Sequence, residues 1–259
     1  MLGAPLAIDA LSAGTTGASF LVRTATGRFV AKAFLPGSSV LLGPAEQFAL
    51  LEDLAEAGLA PRPAGFDLRT RLLVTEYVED ASAVSPEVLR RPERAFEVAA
   101  LLRRLHAVRA DVPAFAPERY AADYLARVGG RERLTPADRG RLDELLALAA
   151  AALPGEPCLC HNDLAADNLL LGRAPKLIDF DYAVTAPPIV DLASIVVMND
   201  FPDAAASALR DAYYSGKVPF SPAEFGGVER LVRLLAHFWA LASPDAGAAI
   251  VAQYRIGHD

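Results

Sequence analysis

The feature that constrains this chain most is a polar loop held between two short apolar strands. The strands are predicted over residues 158–160 and 176–180. The loop between them carries Asp163 and Asn168, and Asp179 lies on the second strand. A turn followed by a strand brings these side chains toward one point, and carboxylate and amide oxygens are the ligands that Mg²⁺ prefers. The sequence therefore predicts a site built by a loop and the strand after it.

The segments on either side of this loop predict two lobes. Residues 1 to about 35 show strand patterns with a hairpin turn at Gly27, and a helix from Pro44 to about Ala57 and a buried strand at 71–78 follow. Later segments show helical spacing of apolar residues, namely 95–106, 136–153, 203–214 and 222–241. We predict an α+β, two-lobed, protein-kinase-like fold. Its small β-rich N-terminal lobe, residues 1–80, binds nucleotide, and its larger helical lobe, residues 81–259, holds the catalytic loop and the acceptor site.

The spacing of the polar residues matches the signature of protein kinases. His161, Asp163 and Asn168 keep the intervals of the kinase catalytic loop, and Asp179 takes the place of the metal-binding Asp that follows. Phosphoryl transfer from ATP needs a carboxylate that orients the acceptor hydroxyl, together with oxygen ligands for Mg²⁺. The residues therefore predict a kinase that uses ATP and Mg²⁺.

Two segments, Leu159–Asn168 and Leu177–Ala183, resemble the aminoglycoside phosphotransferase and choline kinase superfamily. Within it, the choline/ethanolamine kinases are the nearest resemblance, and it extends in order over nearly the whole chain. The resemblance implies that Asp163 is the catalytic base and that Asn168 and Asp179 are Mg²⁺ ligands. It also implies structural support of the loop by His161 and Asp191.

The resemblance implies a nucleotide site in the first lobe. Lys32 would contact the α- and β-phosphates, with Glu46 on the following helix as its ion-pair partner. Glu76 and Val78 would form the hinge that meets adenine through its backbone. The loop expected to cover the phosphates consists of Gly14, Thr15, Thr16 and Gly17.

The acceptor is predicted to be a small cationic metabolite such as choline or ethanolamine. Asp181, Tyr182 and Trp239 lie where those kinases place pocket residues, although Asp181 replaces their usual Glu and Trp239 is the chain's only tryptophan. A tryptophan among apolar helix residues is more often part of the core, so packing in the core stays the alternative for Trp239. Two alternatives stay open: a kinase of aminoglycosides or other sugar hydroxyls, and a nucleotide-binding pseudokinase that acts as a regulator.

The net charge, the apolar segments and the cysteines indicate which binding partners and which cell compartment to expect. The formal net charge is −7, and an acidic chain lacks the attraction for phosphate that drives nucleic-acid binding. No apolar run reaches the length of about 18 residues expected of a membrane span. Cys158 and Cys160 are expected to be ordinary buried thiols without a zinc site, because no further cysteine lies near. We therefore expect a cytoplasmic enzyme with a small-molecule acceptor; the oligomeric state is left open.

Overall fold

The N-terminal part of the chain is a five-stranded antiparallel sheet with one helix. The computed structural model describes residues 4–13, 16–37, 40–79 and 81–243. The strands are β1 Pro5–Ala13, β2 Gly17–Thr24, β3 Gly27–Phe34, β4 Pro63–Asp67 and β5 Leu72–Glu76, in the order β1-β2-β3-β5-β4. The predicted hairpin is confirmed, because Thr24 pairs with Gly27. Helix α1, Pro44–Glu56, packs on β4.

The C-terminal part is mainly helical, as predicted. Its helices are α2 Pro86–Leu89, α3 Ala95–His106, α4 Pro117–Arg127, α5 Pro136–Ala149, α6 Ile189–Met198, α7 Asp203–Tyr214 and α8 Pro222–Ala242. Its short strands are β6 Ala81–Ala83, β7 Cys158–Cys160, β8 Leu169–Gly172, β9 Lys176–Leu177 and β10 Val184–Ala186. The structure confirms the α+β class and the bounds predicted for α3 and α7. The predicted helix at 136–153 ends earlier, at Ala149.

Three elements differ from the sequence prediction for physical reasons. β4 was not predicted, because Pro63 and Gly65 weaken strand propensity, but it forms an edge strand, where proline is tolerated. Helix α6 was missed because nearly all its residues are buried, so it shows no amphipathic period. The strand predicted to reach residue 180 ends at Leu177, since Asp179 has a left-handed backbone (φ 69°) that no strand accommodates.

One large hydrophobic core joins the sheet side of the molecule to the helices. It contains Leu54 and Leu59 from the α1 region and Leu102 from α3, all fully buried. Strand β6, just past the predicted lobe boundary, pairs with β8 of the later half. The division into lobes at 1–80 and 81–259 stays a prediction. None of the helices within the described ranges combines the length and apolar character needed to cross a membrane.

Helix α8 is long and carries Trp239 near its C-terminal end. It begins with a capping box: Glu224 N–H donates to Ser221 Oγ at 3.2 Å, and Ser221 N–H donates to the Glu224 carboxylate at 2.7 Å. A second hydrophobic cluster packs α8 against α4 and α5, with Phe238 at its centre. This packing fixes the position of Trp239 beside the catalytic loop.

Candidate active site

Helix α6 holds the catalytic loop through hydrogen bonds to the loop backbone. Asp191 is fully buried, and its two oxygens accept the backbone N–H groups of His161 at 2.9 Å and Asn162 at 2.7 Å. Asn162 has a left-handed backbone (φ 64°), a conformation that is costly for a residue with a side chain. The carboxylate of Asp191 therefore holds the loop in a shape it would not adopt alone.

His161 ties the loop to the segment that carries Asp179. Its Nε2 donates to the carbonyl of Ile178 at 2.9 Å, so its Nδ1 is the acceptor for Asp163 N–H at 3.3 Å. The ring is fully buried and packs on Phe180, with 4.5 Å between centroids. This environment fits the structural role that the resemblance implies for His161.

Two further loop anchors were missed by sequence reasoning. Ser194 accepts the N–H of Leu164 at 3.1 Å, and Asn199 accepts the N–H of Ala166 at 2.8 Å. Asn199 also donates to the Leu164 carbonyl at 2.8 Å. Both are polar interruptions of the apolar segment that forms α6, and that interruption was the only signal the sequence offered.

Asp163 and Asn168 contact each other where the catalytic loop lines the cleft. Asn168 Nδ2 donates to the Asp163 backbone carbonyl at 2.8 Å and to its Oδ2 at 3.3 Å. Burial, reinforced by the charges of Asp179 and Asp181, raises the pKa of Asp163 to about 6, although His161 and Lys32 act in the opposite direction. A carboxylate with such a pKa can accept a proton near neutral pH.

Lys32 reaches from β3 across the cleft to two carboxylates. Its Nζ forms ion pairs with Asp179 and, at 2.7 Å, with Asp181. Burial lowers the pKa of Lys32, but the two carboxylates outweigh it and hold that pKa above its usual value. The lysine therefore stays charged and bridges the sheet to the segment after the catalytic loop.

Asp181 is the more deeply buried of the two partners, with 1% of its surface exposed. Gln47 of α1 donates to its Oδ1 at 2.6 Å. Burial and the nearby charge of Asp179 raise the pKa of Asp181 to about 6 against the effects of Lys32 and Gln47. The contact with Gln47 was not anticipated from the sequence.

The predicted ion pair between Lys32 and Glu46 is not formed in this structure. Among the ion pairs of the described residues, those of Lys32 involve Asp179 and Asp181 only. Glu46 is exposed and folds back toward the start of its own helix, where a methyl group built on Gly43 would lie 2.9 Å from its Oε2. The pair was predicted for the nucleotide-bound form, and for that form it stays a prediction.

One cleft of about 1270 Å³ brings most of the predicted residues together. Its lining includes Thr16, Lys32, Glu76, Val78, Asp163, Asn168, Asp179, Asp181, Tyr182 and Trp239. Glu46, His161 and Asp191 lie outside its lining. Gly17 is packed against β3, where a side chain would lie 2.4 Å from the Ala33 carbonyl oxygen. Gly14 and Thr15, also predicted to cover the phosphates, lie outside the described residues.

The family described as "Phosphotransferase enzyme family" matches residues 7–225 of the chain. The chain belongs to this family. No curated protein sequence matches it. The activity class that the residues predicted, transfer of a phosphoryl group, is thereby confirmed.

Solved structures of several phosphotransferases share the fold. Choline kinase LicA from Streptococcus pneumoniae matches with a TM-score of 0.83 and 20% identity, over 96% of this chain and 90% of that one. A choline/ethanolamine kinase family protein from Mesorhizobium loti matches with a TM-score of 0.73 and 25% identity, over 96% and 84%. The gentamicin complex of APH(2")-IIa matches with a TM-score of 0.70 and 17% identity, over 98% and 92%.

The residues predicted to form the hinge line one side of the cleft. Glu76, Tyr77 and Val78 line it, and the N–H groups of Glu76 and Tyr77 donate to Arg62 and Arg28. In the described part of the chain, no hydrogen bond uses the backbone of Val78. Its N–H and carbonyl are thus available to a ligand.

The opposite side of the cleft carries an aromatic pair. Trp239 Nε1 donates to the Tyr182 hydroxyl at 3.0 Å, and both side chains are half-buried. Sequence analysis missed the contribution of α4, from which Tyr120, Asp123 and Tyr124 line the cleft. That helix was not predicted, so nothing placed its residues near the catalytic loop.

Proposed function

We propose that this phosphotransferase transfers the γ-phosphoryl group of ATP to a hydroxyl of a small cationic amino alcohol such as choline or ethanolamine. One observation carries the proposal. A single cleft holds Asp163 of the catalytic loop together with the hydrogen-bonded aromatic pair of Tyr182 and Trp239. A carboxylate suited to an acceptor hydroxyl and rings suited to its cationic group face the same space.

The nucleotide is assigned to the side of the cleft formed by the sheet. Val78 offers backbone groups to adenine, and Lys32 offers a charged Nζ to phosphate oxygens. Thr16 lines the cleft beside them. Support comes from the related fold of LicA, which has been solved in complex with AMP.

The oxygens of Asn168 and Asp179 fit an Mg²⁺ ion. Asn168 directs its amide nitrogen to Asp163, which leaves its amide oxygen, a ligand that hard cations bind, for another partner. Asp179 lies on a strained left-handed backbone (φ 69°) that turns its carboxylate into the cleft. When bound, Mg²⁺ would neutralise charge on the transferring phosphates.

Asp163 is assigned the role of general base. An acceptor hydroxyl donates a hydrogen bond to its carboxylate, which orients the oxygen lone pair toward phosphorus. As the new O–P bond forms, the hydroxyl proton passes to Asp163, whose pKa of about 6 suits this transfer. Asn168 holds the carboxylate in place through its 3.3 Å contact with Oδ2.

The cationic group of the acceptor is assigned to the aromatic pair. Ring faces attract ammonium groups, with about 0.5–2 kcal/mol per contact. The hydrogen bond from Trp239 fixes the orientation of the Tyr182 ring. Asp181 lies one residue from Tyr182 but is buried and held by Lys32 and Gln47, so the rings supply the recognition in this state.

The test is phosphorylation of choline, ethanolamine, thiamine and kanamycin side by side, with ATP and Mg²⁺. We expect turnover of an amino alcohol, and a rise in its KM of at least about fivefold in Trp239→Ala because a cation–π contact is lost. Tyr182→Phe is the matched control, since it keeps both rings and removes only the hydrogen bond between them. If choline turnover does not change in Trp239→Ala, the aromatic pair does not bind the cationic group. If no acceptor is phosphorylated, the regulatory pseudokinase is favoured.

A second candidate is a kinase of aminoglycosides. Two exposed carboxylates, Asp123 and Asp167, also line the cleft, where they can attract several amino groups of one acceptor. These features favour a larger polycation, and the APH(2")-IIa fold has been solved with gentamicin. Robust turnover of kanamycin without choline turnover, weakened by Asp123→Asn, would select this function.

A further inference from the structure

A cluster of one histidine and two thiols lies next to the buried anchor of the catalytic loop. His106 ends α3, and Cys158 and Cys160 lie on β7. One potential ligand atom from each residue lies within 4.8 Å of the others. The histidine comes from a segment far earlier in the chain, which is why the spacing of the two cysteines alone predicted no metal site.

The two sulfur atoms have the separation that a tetrahedral zinc-group cation requires. They lie 3.9 Å apart, and two thiolates on such a cation, each at about 2.3 Å, are separated by about 3.8 Å. Cysteines two residues apart on a strand face the same side but rarely meet disulfide geometry. The pair is therefore better arranged to chelate a cation than to form a bond with itself.

The hydrogen bonds of His106 determine which ring nitrogen can act as a ligand. The Asp191 carboxylate can only accept, so His106 Nε2 donates to it, at 3.0 Å. Nδ1 then holds the lone pair, which accepts the Tyr213 hydroxyl at 2.7 Å. A histidine whose other nitrogen donates to a carboxylate is the usual arrangement around a protein-bound metal.

The two thiols differ in access and in ionisation. Cys158 is half-buried, so a cation can reach the cluster from its side, whereas Cys160 is fully buried behind it. Thiols must lose their protons to bind metal. The hydrogen bond from Cys160 lowers the pKa of Cys158. The same bond and burial raise the pKa of Cys160, so a cation has to displace the proton of the buried thiol.

We propose that His106, Cys158 and Cys160 form a site for a thiophilic divalent cation of the zinc group, separate from the site assigned to Mg²⁺. Binding forms two sulfur–metal bonds and one nitrogen–metal bond, and it releases the two thiol protons to solvent. His106 Nδ1 exchanges the Tyr213 hydroxyl for the cation, and a water molecule completes the tetrahedron. Because His106 Nε2 still donates to Asp191, the bound cation stiffens the anchor of the catalytic loop.

The test is a Cd²⁺ titration of the full chain, reduced and freed of metal with a chelator, without nucleotide or Mg²⁺. The readout is the ultraviolet charge-transfer absorbance of cadmium thiolates, which does not depend on kinase activity. We expect saturation at one Cd²⁺ per chain, competition by Zn²⁺, and a large loss of the band in Cys158→Ser. His106→Gln keeps a donor for Asp191 and should weaken binding at least about tenfold.

His237→Gln is the matched control, since His237 is also buried beside a carboxylate, Asp138, at 2.8 Å. It should leave Cd²⁺ binding unchanged. The proposal is overturned if the wild type shows no saturable band, or if His106→Gln binds Cd²⁺ as tightly as the wild type. Should a variant fail to fold, the Co²⁺ spectrum of the wild type decides alone: intense tetrahedral bands support the site, and weak octahedral ones overturn it.

Discussion

Replacing Asp181 by Asn should stabilise the protein relative to the wild type, and the difference in unfolding free energy should grow as the pH rises. Asp181 is 1% exposed, and its pKa is raised from 3.8 to about 6, first by burial and then by the charge of Asp179. A group whose pKa is raised in the folded state stabilises that state at low pH, and the contribution is lost as the pH rises through the folded pKa. Asn cannot ionise, so Asp181→Asn escapes that loss.

The size of the effect follows from the two pKa values of Asp181, 3.8 in the unfolded chain and about 6 in the folded one. Well above pH 6, ionised Asp181 costs about 3 kcal/mol of unfolding free energy, since each pKa unit is worth about 1.4 kcal/mol. Near pH 5 the folded group is mostly protonated, and the cost is roughly 1 to 2 kcal/mol. The stability of Asp181→Asn relative to wild type should therefore increase by roughly 1 to 2 kcal/mol between about pH 5 and pH 7.5.

The assay is urea unfolding of both proteins at the two pH values, with equal denaturant slopes as the check on two-state behaviour. Asp143→Asn serves as control, because the hydrogen bond from Arg131 lowers the pKa of that exposed carboxyl. Its relative stability should stay constant between the two pH values, because both lie above its usual pKa of 3.8 and a contribution from a lowered pKa is lost only at more acidic pH. A stability difference for Asp181→Asn that stays constant or falls with rising pH would refute the assignment of a buried carboxylate with a raised pKa.

Three further predictions concern the chemistry. Asp163→Asn should lower kcat by about 10²–10⁴-fold with unchanged binding of a fluorescent ATP analogue. Wild-type activity should rise with pH through about 6 as Asp163 ionises. Turnover of the variant at the wild-type rate would exclude Asp163 as the general base. Lys32→Met should raise the KM for ATP while far-ultraviolet circular dichroism stays native; an unchanged KM would remove Lys32 from the phosphates. Asn168→Ala and Asp179→Ala should each raise the Mg²⁺ concentration needed for half-maximal rate, which a rate independent of Mg²⁺ would contradict.

The parts that the sequence predicted well are those with a local signal. Helices α3 and α7 each bury one face, so apolar residues recur with the helical period and fix both ends. Asp163, Asn168 and Asp179 were predicted to lie together because few chemistries require their spacing, and all three line one cleft; their catalytic roles stay predictions. In both cases the information lies within about 20 neighbouring residues.

The parts that were missed depend on contacts between distant segments. Helix α4 supplies Asp123 and Tyr124 to the cleft, yet its position depends on packing against α5 and α8. Gln47 reaches Asp181 only because the backbone before α1 is attached there, with Leu41 and Leu42 N–H donating to the Asp181 carbonyl at 2.9 and 3.1 Å. A single sequence carries no local trace of such contacts.

The partner of Lys32 is decided by which side of α1 faces the cleft. Successive helical residues point about 100° apart, so Glu46 and Gln47 cannot both be directed at the lysine. Here Gln47 is 2% exposed and donates a hydrogen bond to Asp181. Glu46 is the third helical residue after Gly43, and it turns back to the helix start. The helix dipole favours a carboxylate at that end. For Glu46 to reach Lys32, α1 has to turn and Gln47 has to release Asp181. A nucleotide-bound structure that keeps Gln47 on Asp181 would mean that Asp181 has taken over the role of the helix glutamate in holding the lysine.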